Sequence, residues 1–230
     1  MTDGKLGVFI SHSTKDLTSV NSLTWELEFL GLEVFVAHRD ITPTEVWRRA
    51  IIDALKNMEI FIAYITQNFK DSEWCDQESG IAYFLEKKII PLIVEPDSIK
   101  VPYGFLNEFQ KLDISSDKRS HPYKWDQIVA SDIFDLLHSN EKYSALLRQG
   151  MLNKIPKVSS YGCANSLFQK LPLAEPLTKE EFEMIVRESN RNNQIYEAGG
   201  AKITLKNIVG KHGDETDIQE LQELKGKINY

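Results

Sequence analysis

Residues 60–94, IFIAYITQNFKDSEWCDQESGIAYFLEKKIIPLIV, decide the fold. They hold two short apolar runs, Ile60–Ile65 and Ile89–Val94, with a helical pattern between them. Neither run alternates, and an unbroken apolar run of this length reads as a strand covered on both faces. Ser72 stands where a helix N-cap belongs, and Trp74, Glu78, Ile81 and Leu85 follow at helical spacing. Strand, helix, strand in close succession is the unit of a parallel sheet, because parallel neighbours need a crossover.

The same alternation extends outward. Towards the N-terminus, Gly7–Ile10 is an apolar run ending in Ser11, His12 and Ser13. Asp16 is placed to cap a helix through Leu17, Val20, Leu23, Leu27 and Leu30, with Gly31 at its C′ position. Leu32–Val36 forms a second strand. Thr42-Pro43-Thr44-Glu45 combines a capping box with proline at the first helical position, opening a helix with Trp47, Ala50, Ile51, Ala54, Leu55 and Met58 on one face. Towards the C-terminus, a fifth strand is expected over Phe109–Ile114 and a closing helix over Trp125–Leu137. The expectation for residues 1–140 is a flavodoxin-like, doubly wound five-stranded parallel sheet, an α/β domain.

From Glu141 the consecutive β-branched runs stop. Helical patterns cover Tyr143–Leu152, Ala164–Leu171 and a stretch from Thr178, where Thr178 and Glu181 make another capping box. Gly199-Gly200 reads as a turn before Ile203–Val209, and a polar tail is expected after Gly210. Residues 141–230 thus read as a small, mainly α-helical C-terminal domain, with Tyr161, Phe168, Phe182 and Tyr196 as its own core.

Composition removes several classes of function. Of 230 residues, 42% are hydrophobic and 27% charged, the balance of a globular protein. No apolar run approaches the roughly 18 residues of a membrane helix, and MTDGKLG lacks the plan of a secretory signal. Two cysteines, Cys75 and Cys163, are too few for a disulfide scaffold and point to a reducing cytoplasm. Cys75 sits near a helix N-terminus, a place that can lower a thiol pKa, although a buried structural thiol is the simpler expectation. Residues 1–140 carry 14 basic and 22 acidic side chains, and residues 141–230 carry 13 and 12. An acidic α/β domain would repel a polyphosphate, which argues against nucleic acid as a partner. His121, His138 and His212 have no metal-ligand spacing, and there is no P-loop or Gly-x-Gly-x-x-Gly, so neither a metal nor a bound cofactor is expected.

In an open α/β sheet, ligands gather beyond the C-terminal ends of the strands. Three segments fall there: Ser11-His12-Ser13, His38-Arg39-Asp40-Ile41-Thr42-Pro43, and Ser72 to Glu78. Here the sequence resembles a family. Val8-Phe9-Ile10-Ser11-His12 is similar to the first box of Toll/interleukin-1 receptor (TIR) domains. Gly31-Leu32-Glu33-Val34-Phe35 with the loop from His38 to Thr44 resembles the second strand and BB loop, although Pro43 and Thr44 stand where a glycine often occurs. Trp74-Cys75-Asp76-Gln77-Glu78 matches the Trp-x-x-x-Glu pattern of NAD-cleaving TIR domains, and Pro102-Tyr103-Gly104-Phe105 resembles a segment of stand-alone bacterial ones. The resemblance spans residues 6 to about 138, and its ordered set of boxes is far more specific than any one of them.

The resemblance implies an NAD+ glycohydrolase or ADP-ribosyl cyclase, with NAD+ as substrate rather than cofactor, in cytoplasmic bacterial antiphage defence. Glu78 would be the catalytic carboxylate and Trp74 a ring that stacks on the pyridinium. Arg39 and Asp40 of the BB loop would shape the cleft or join neighbouring subunits, and His12 and Ser13 would line the ribose or phosphate pocket. Self-association through TIR domains is implied, with an effector or trigger protein assigned to the C-terminal domain. Two readings stand against it: a non-catalytic TIR scaffold, and a sensor that binds NAD or ADP-ribose without cleaving it. The Trp-x-x-x-Glu pair favours the enzyme, since a scaffold has no need of it.

Overall fold

The computed structural model describes residues 5–37, 47–94, 104–114 and 120–230. Five strands form one all-parallel sheet in the order β2-β1-β3-β4-β5. They are β1 (Gly7–Ser11), β2 (Glu33–Phe35), β3 (Ile60–Ile65), β4 (Lys88–Ile93) and β5 (Leu112–Asp113). Every residue of β1 and β3 is buried, as their unbroken apolar composition requires. The helices of this first unit are α1 (Leu17–Phe29), α2 (Trp47–Asn57), α3 (Gln67–Lys70), α4 (Glu73–Phe84) and α5 (Trp125–His138).

Register organises the core. Phe9 pairs with Phe35 on one side and Phe61 on the other, so three phenylalanines lie in one row across β2, β1 and β3. Their rings stack at 5.3 and 5.7 Å. The row belongs to a cluster with Ile51 and Leu55 of α2 and Cys75 and Ala82 of α4. Because strand side chains alternate, Ser11 points to the same face as Phe9, the face that α2 and α4 cover.

Several local expectations change. The fifth strand has two residues instead of six, because a 3-10 turn (Gly104–Glu108) precedes it and Phe109 sets its ring edge-on to Tyr83 at 6.2 Å. A 3-10 turn, Thr14–Asp16, leads into α1, and the Asp16 carboxylate accepts hydrogen bonds from Thr66 Oγ1 (2.6 Å) and Asn68 Nδ2 (3.0 Å). Thr66 in turn caps α3 by accepting from the Phe69 N–H. Two turns at the C-terminal edge of the sheet, after β1 and after β3, are tied together by this chain. The helix start expected at residues 42–45 lies outside the described residues.

The chain divides into two compact units, one of residues 1–28 and 33–137, the other of residues 29–32 and 138–230. The second contains α6 (Glu141–Lys154), α7 (Tyr161–Lys170), α8 (Lys179–Arg191), α9 (Asn193–Tyr196), α10 (Gly199–His212) and α11 (Gln219–Ile228). Both halves of the capping box at Thr178 form. Arg148 grips the segment before it, donating to the carbonyls of Ala174 and Pro176 and, bidentately, to Glu181. Gly199-Gly200 opens α10 instead of making a turn: the Gly200 and Ala201 N–H groups donate to Asn165 Oδ1, which supplies the cap their own side chains lack. Gly200 also permits the approach, since a Cβ there would lie 2.9 Å from that oxygen. The stretch read as a polar tail carries α11, with Leu221, Leu224 and Ile228 buried. Its apolar stripe is only one residue wide per turn, which an otherwise charged sequence hides.

Candidate functional site

The site forms where β1 ends and α4 begins. Ser72 starts α4 by accepting a hydrogen bond from the Cys75 N–H (3.4 Å). This fixes the helix phase, so Cys75, Glu78, Ser79 and Ala82 face inward while Asp76 and Gln77 face solvent. Glu78 is 6% exposed, unusually low for a carboxylate. Ser11, the last residue of β1, reaches it: the Ser11 hydroxyl donates to Glu78 Oε2 at 2.5 Å. Such a length is typical of a hydrogen bond to an ionised oxygen.

Burial raises the Glu78 carboxyl to about 7, and the Ser11 hydrogen bond opposes that rise. Near neutral pH the group is therefore poised between its two forms. Once ionised it is a poorly hydrated negative charge, which acts on a nearby cation more strongly than a surface carboxylate does. Beside it, burial pushes the Cys75 thiol up to about 11, with the Ser72 hydrogen bond working the other way. The helix N-terminus does not make a reactive thiolate here, and Cys75 acts as a buried packing group.

Trp74 lies one turn before Glu78 on α4, with 39% of its surface exposed. Its side chain is thus partly exposed while the Glu78 carboxylate stays sheltered. His12 and Ser13 follow Ser11 at the same strand end. His12 Nδ1 lies 3.3 Å from the Ile10 carbonyl oxygen, and the Ser13 carbonyl accepts from the Asp16 N–H at 2.9 Å. These hydrogen bonds shape the turn. Arg39 and Asp40 lie outside the described residues. Ser11, the residue in contact with Glu78, was not among the expected site residues. The signal for it was parity: two residues after Phe9, it had to share the face of that ring.

Other features lie elsewhere. A cavity of about 730 Å³ opens at the C-terminal end of α4, where Tyr83 stacks on Phe105 at 4.3 Å and Phe84 is 83% exposed. Among the described residues no group of three or more His, Cys, Asp or Glu side chains is placed to hold a metal ion, and no helix is long and apolar enough to cross a membrane.

Comparison with known proteins places this architecture. The TIR domain model matches residues 8–129, and the chain belongs to the TIR-domain family. Among solved structures it is similar to the TIR domain of the Toll-related receptor TRR-2 from the lower metazoan Hydra magnipapillata, at 32% identity over 54% of this chain and 95% of that one, with a TM-score of 0.43. A comparison with curated proteins gives no match.

Proposed function

We propose that this TIR domain cleaves the bond between nicotinamide and ribose in NAD+, as a glycohydrolase or ADP-ribosyl cyclase. The observation that carries the reading is the sheltered carboxylate of Glu78 one helical turn after the partly exposed Trp74, at the C-terminal edge of a parallel sheet. The chemistry asks for little more. Nicotinamide in NAD+ is already cationic, so the C–N bond breaks with both electrons going to nitrogen and a neutral group leaves without a general acid. The ribose is left as an oxocarbenium-like cation, which a fixed negative charge stabilises. Water then adds and loses a proton to give ADP-ribose, or a nucleophile within the same molecule closes a ring. Glu78 supplies the charge and a hold on the ribose hydroxyls, and Trp74 stacks on the pyridinium.

The test is incubation of NAD+ with tens of micromolar protein beside Glu78→Ala, with the products identified by mass. Nicotinamide released by the parent and not by the variant supports the reading; equal release, or none under forced self-association, removes it. A scaffold role has one observation of its own, the exposed aromatic surface of Tyr83, Phe84 and Phe105 on a different side of α4, which would serve TIR–TIR self-association.

A further inference from the structure

We propose that Ser11 is a positioning residue that fixes the aim of the Glu78 carboxylate and sets the acidity at which that carboxylate takes up a proton, making the site a proton-gated one. The inference rests on the reading of Glu78 as the acting carboxylate.

The geometry is that of a built pair. Ser11 is 1% exposed and held in the middle of the sheet, its backbone in register with Ala63 of β3. A side chain so fixed loses little freedom in holding one hydrogen bond, unlike a surface serine. It meets a carboxylate delivered by a different element, 67 positions away in sequence. The hydroxyl donates, so it favours the ionised form, whereas the apolar surroundings favour the protonated one. Removing the donor leaves burial unopposed.

The remaining groups around the pair leave this balance to Ser11. On α4 itself, Cys75 stays a neutral thiol and Asp76 faces solvent. From β1, His12 follows Ser11 with Nδ1 at the Ile10 carbonyl. β3 turns Ala63 and Ile65 to this face and Tyr64 to the other, Lys70 of α3 is exposed, and Glu108 in the turn before β5 is exposed and accepts from the Tyr83 hydroxyl. α2 carries Arg48, Arg49, Asp53 and Lys56. Among the described residues the influences acting on Glu78 are burial and the Ser11 hydroxyl. Protonation therefore switches off the negative charge that the described part of the site supplies.

The test compares the parent with Ser11→Ala and Ser11→Cys, which keeps the shape of serine with a somewhat larger, weakly donating thiol. Two readouts are taken across pH 5–9: nicotinamide release from NAD+, and the carboxyl 13C shift of Glu78 in glutamate-labelled protein, assigned with Glu78→Gln. The parent is expected to be half-active near pH 7. In Ser11→Ala both midpoints move up by roughly one pH unit, turnover at pH 7 falls about fivefold, and it recovers by pH 9 with KM unchanged. Ser11→Cys shifts the same way by less, and decides the matter if the alanine variant misfolds. Unmoved midpoints overturn the proposal, as does a loss of turnover that persists to pH 9. If the parent releases no nicotinamide while the carbon midpoint still moves, the NAD-cleaving reading fails and the Ser11 assignment stands.

Discussion

Ser11 and Glu78 are held 2.5 Å apart by a strand end and a helix that share no local sequence, and both are shut away from solvent. A carboxylate kept in such a place costs the fold something whenever it ionises. Its pKa, about 7, lies above the ordinary 4.5, so the folded state holds its proton more tightly than the unfolded chain does. The stability this contributes is full below pH 4.5 and is lost as pH rises through 7. Glu78→Gln removes the penalty. It is expected to melt with the parent at pH 4.5 and to be more stable by about 3 kcal/mol at pH 8, while losing at least a hundredfold in turnover. Thermal unfolding at the two pH values checks the first part.

Trp74 is expected to behave in the opposite way. Trp74 is 39% exposed, so Trp74→Ala gives up less packing than a fully buried aromatic would. Loss of a stacking surface worth about 1–2 kcal/mol should lower kcat/KM roughly tenfold, with only a modest fall in melting temperature. Steady-state kinetics beside a melting curve separate the two.

His212 in the second unit makes a prediction independent of any activity. Its buried ring has Glu215 at 2.7 Å from Nδ1 and Glu175 at 3.0 Å from Nε2. Burial disfavours its charge, but the two carboxylate hydrogen bonds outweigh burial and raise its pKa. A raised histidine contributes stability that is full below the unfolded value of about 6.5 and is lost as pH rises through the folded value. The second unit should therefore lose protection from hydrogen exchange as pH rises above about 6.5, and His212→Gln should flatten that dependence while costing roughly 2 kcal/mol at pH 6.

The last helix should be as indispensable as any other in its unit. Leu224 is fully buried, so Leu224→Ala is expected to destabilise the protein by about 2–4 kcal/mol. The neighbouring exposed Glu223 contributes nothing to that core, and Glu223→Ala, which removes only the bonds it accepts from Asn190 and Gln219, should cost far less. Denaturant titration of the two variants checks the contrast.

The parts of this architecture that read clearly from sequence are those set by local pattern. The runs of β1 and β3 announce burial on both faces, and Ser72 and Thr178 cap helices as their neighbours suggest. What stayed hidden depends on contacts between distant residues. The bonds that Asp16 accepts from Thr66 and Asn68, 50 and 52 positions away, leave no local trace. Gly199-Gly200 looks like a turn until Asn165 arrives to cap it. Glu78 and Trp74 stand out by spacing, but the acidity of Glu78 comes from burial and from a serine 67 positions away, neither of which a motif carries.

The second unit holds four residues, Phe29–Leu32, that the chain visits between α1 and β2 long before it reaches α6. Gly31 adopts φ 89° there, and a Cβ on it would fall 2.4 Å from the backbone of Gly150. A single genetic crossover at residue 137 would thus hand the helical unit to a new host without one of its pieces. A piece comprising residues 138–230 alone therefore lacks four residues of the unit it comes from.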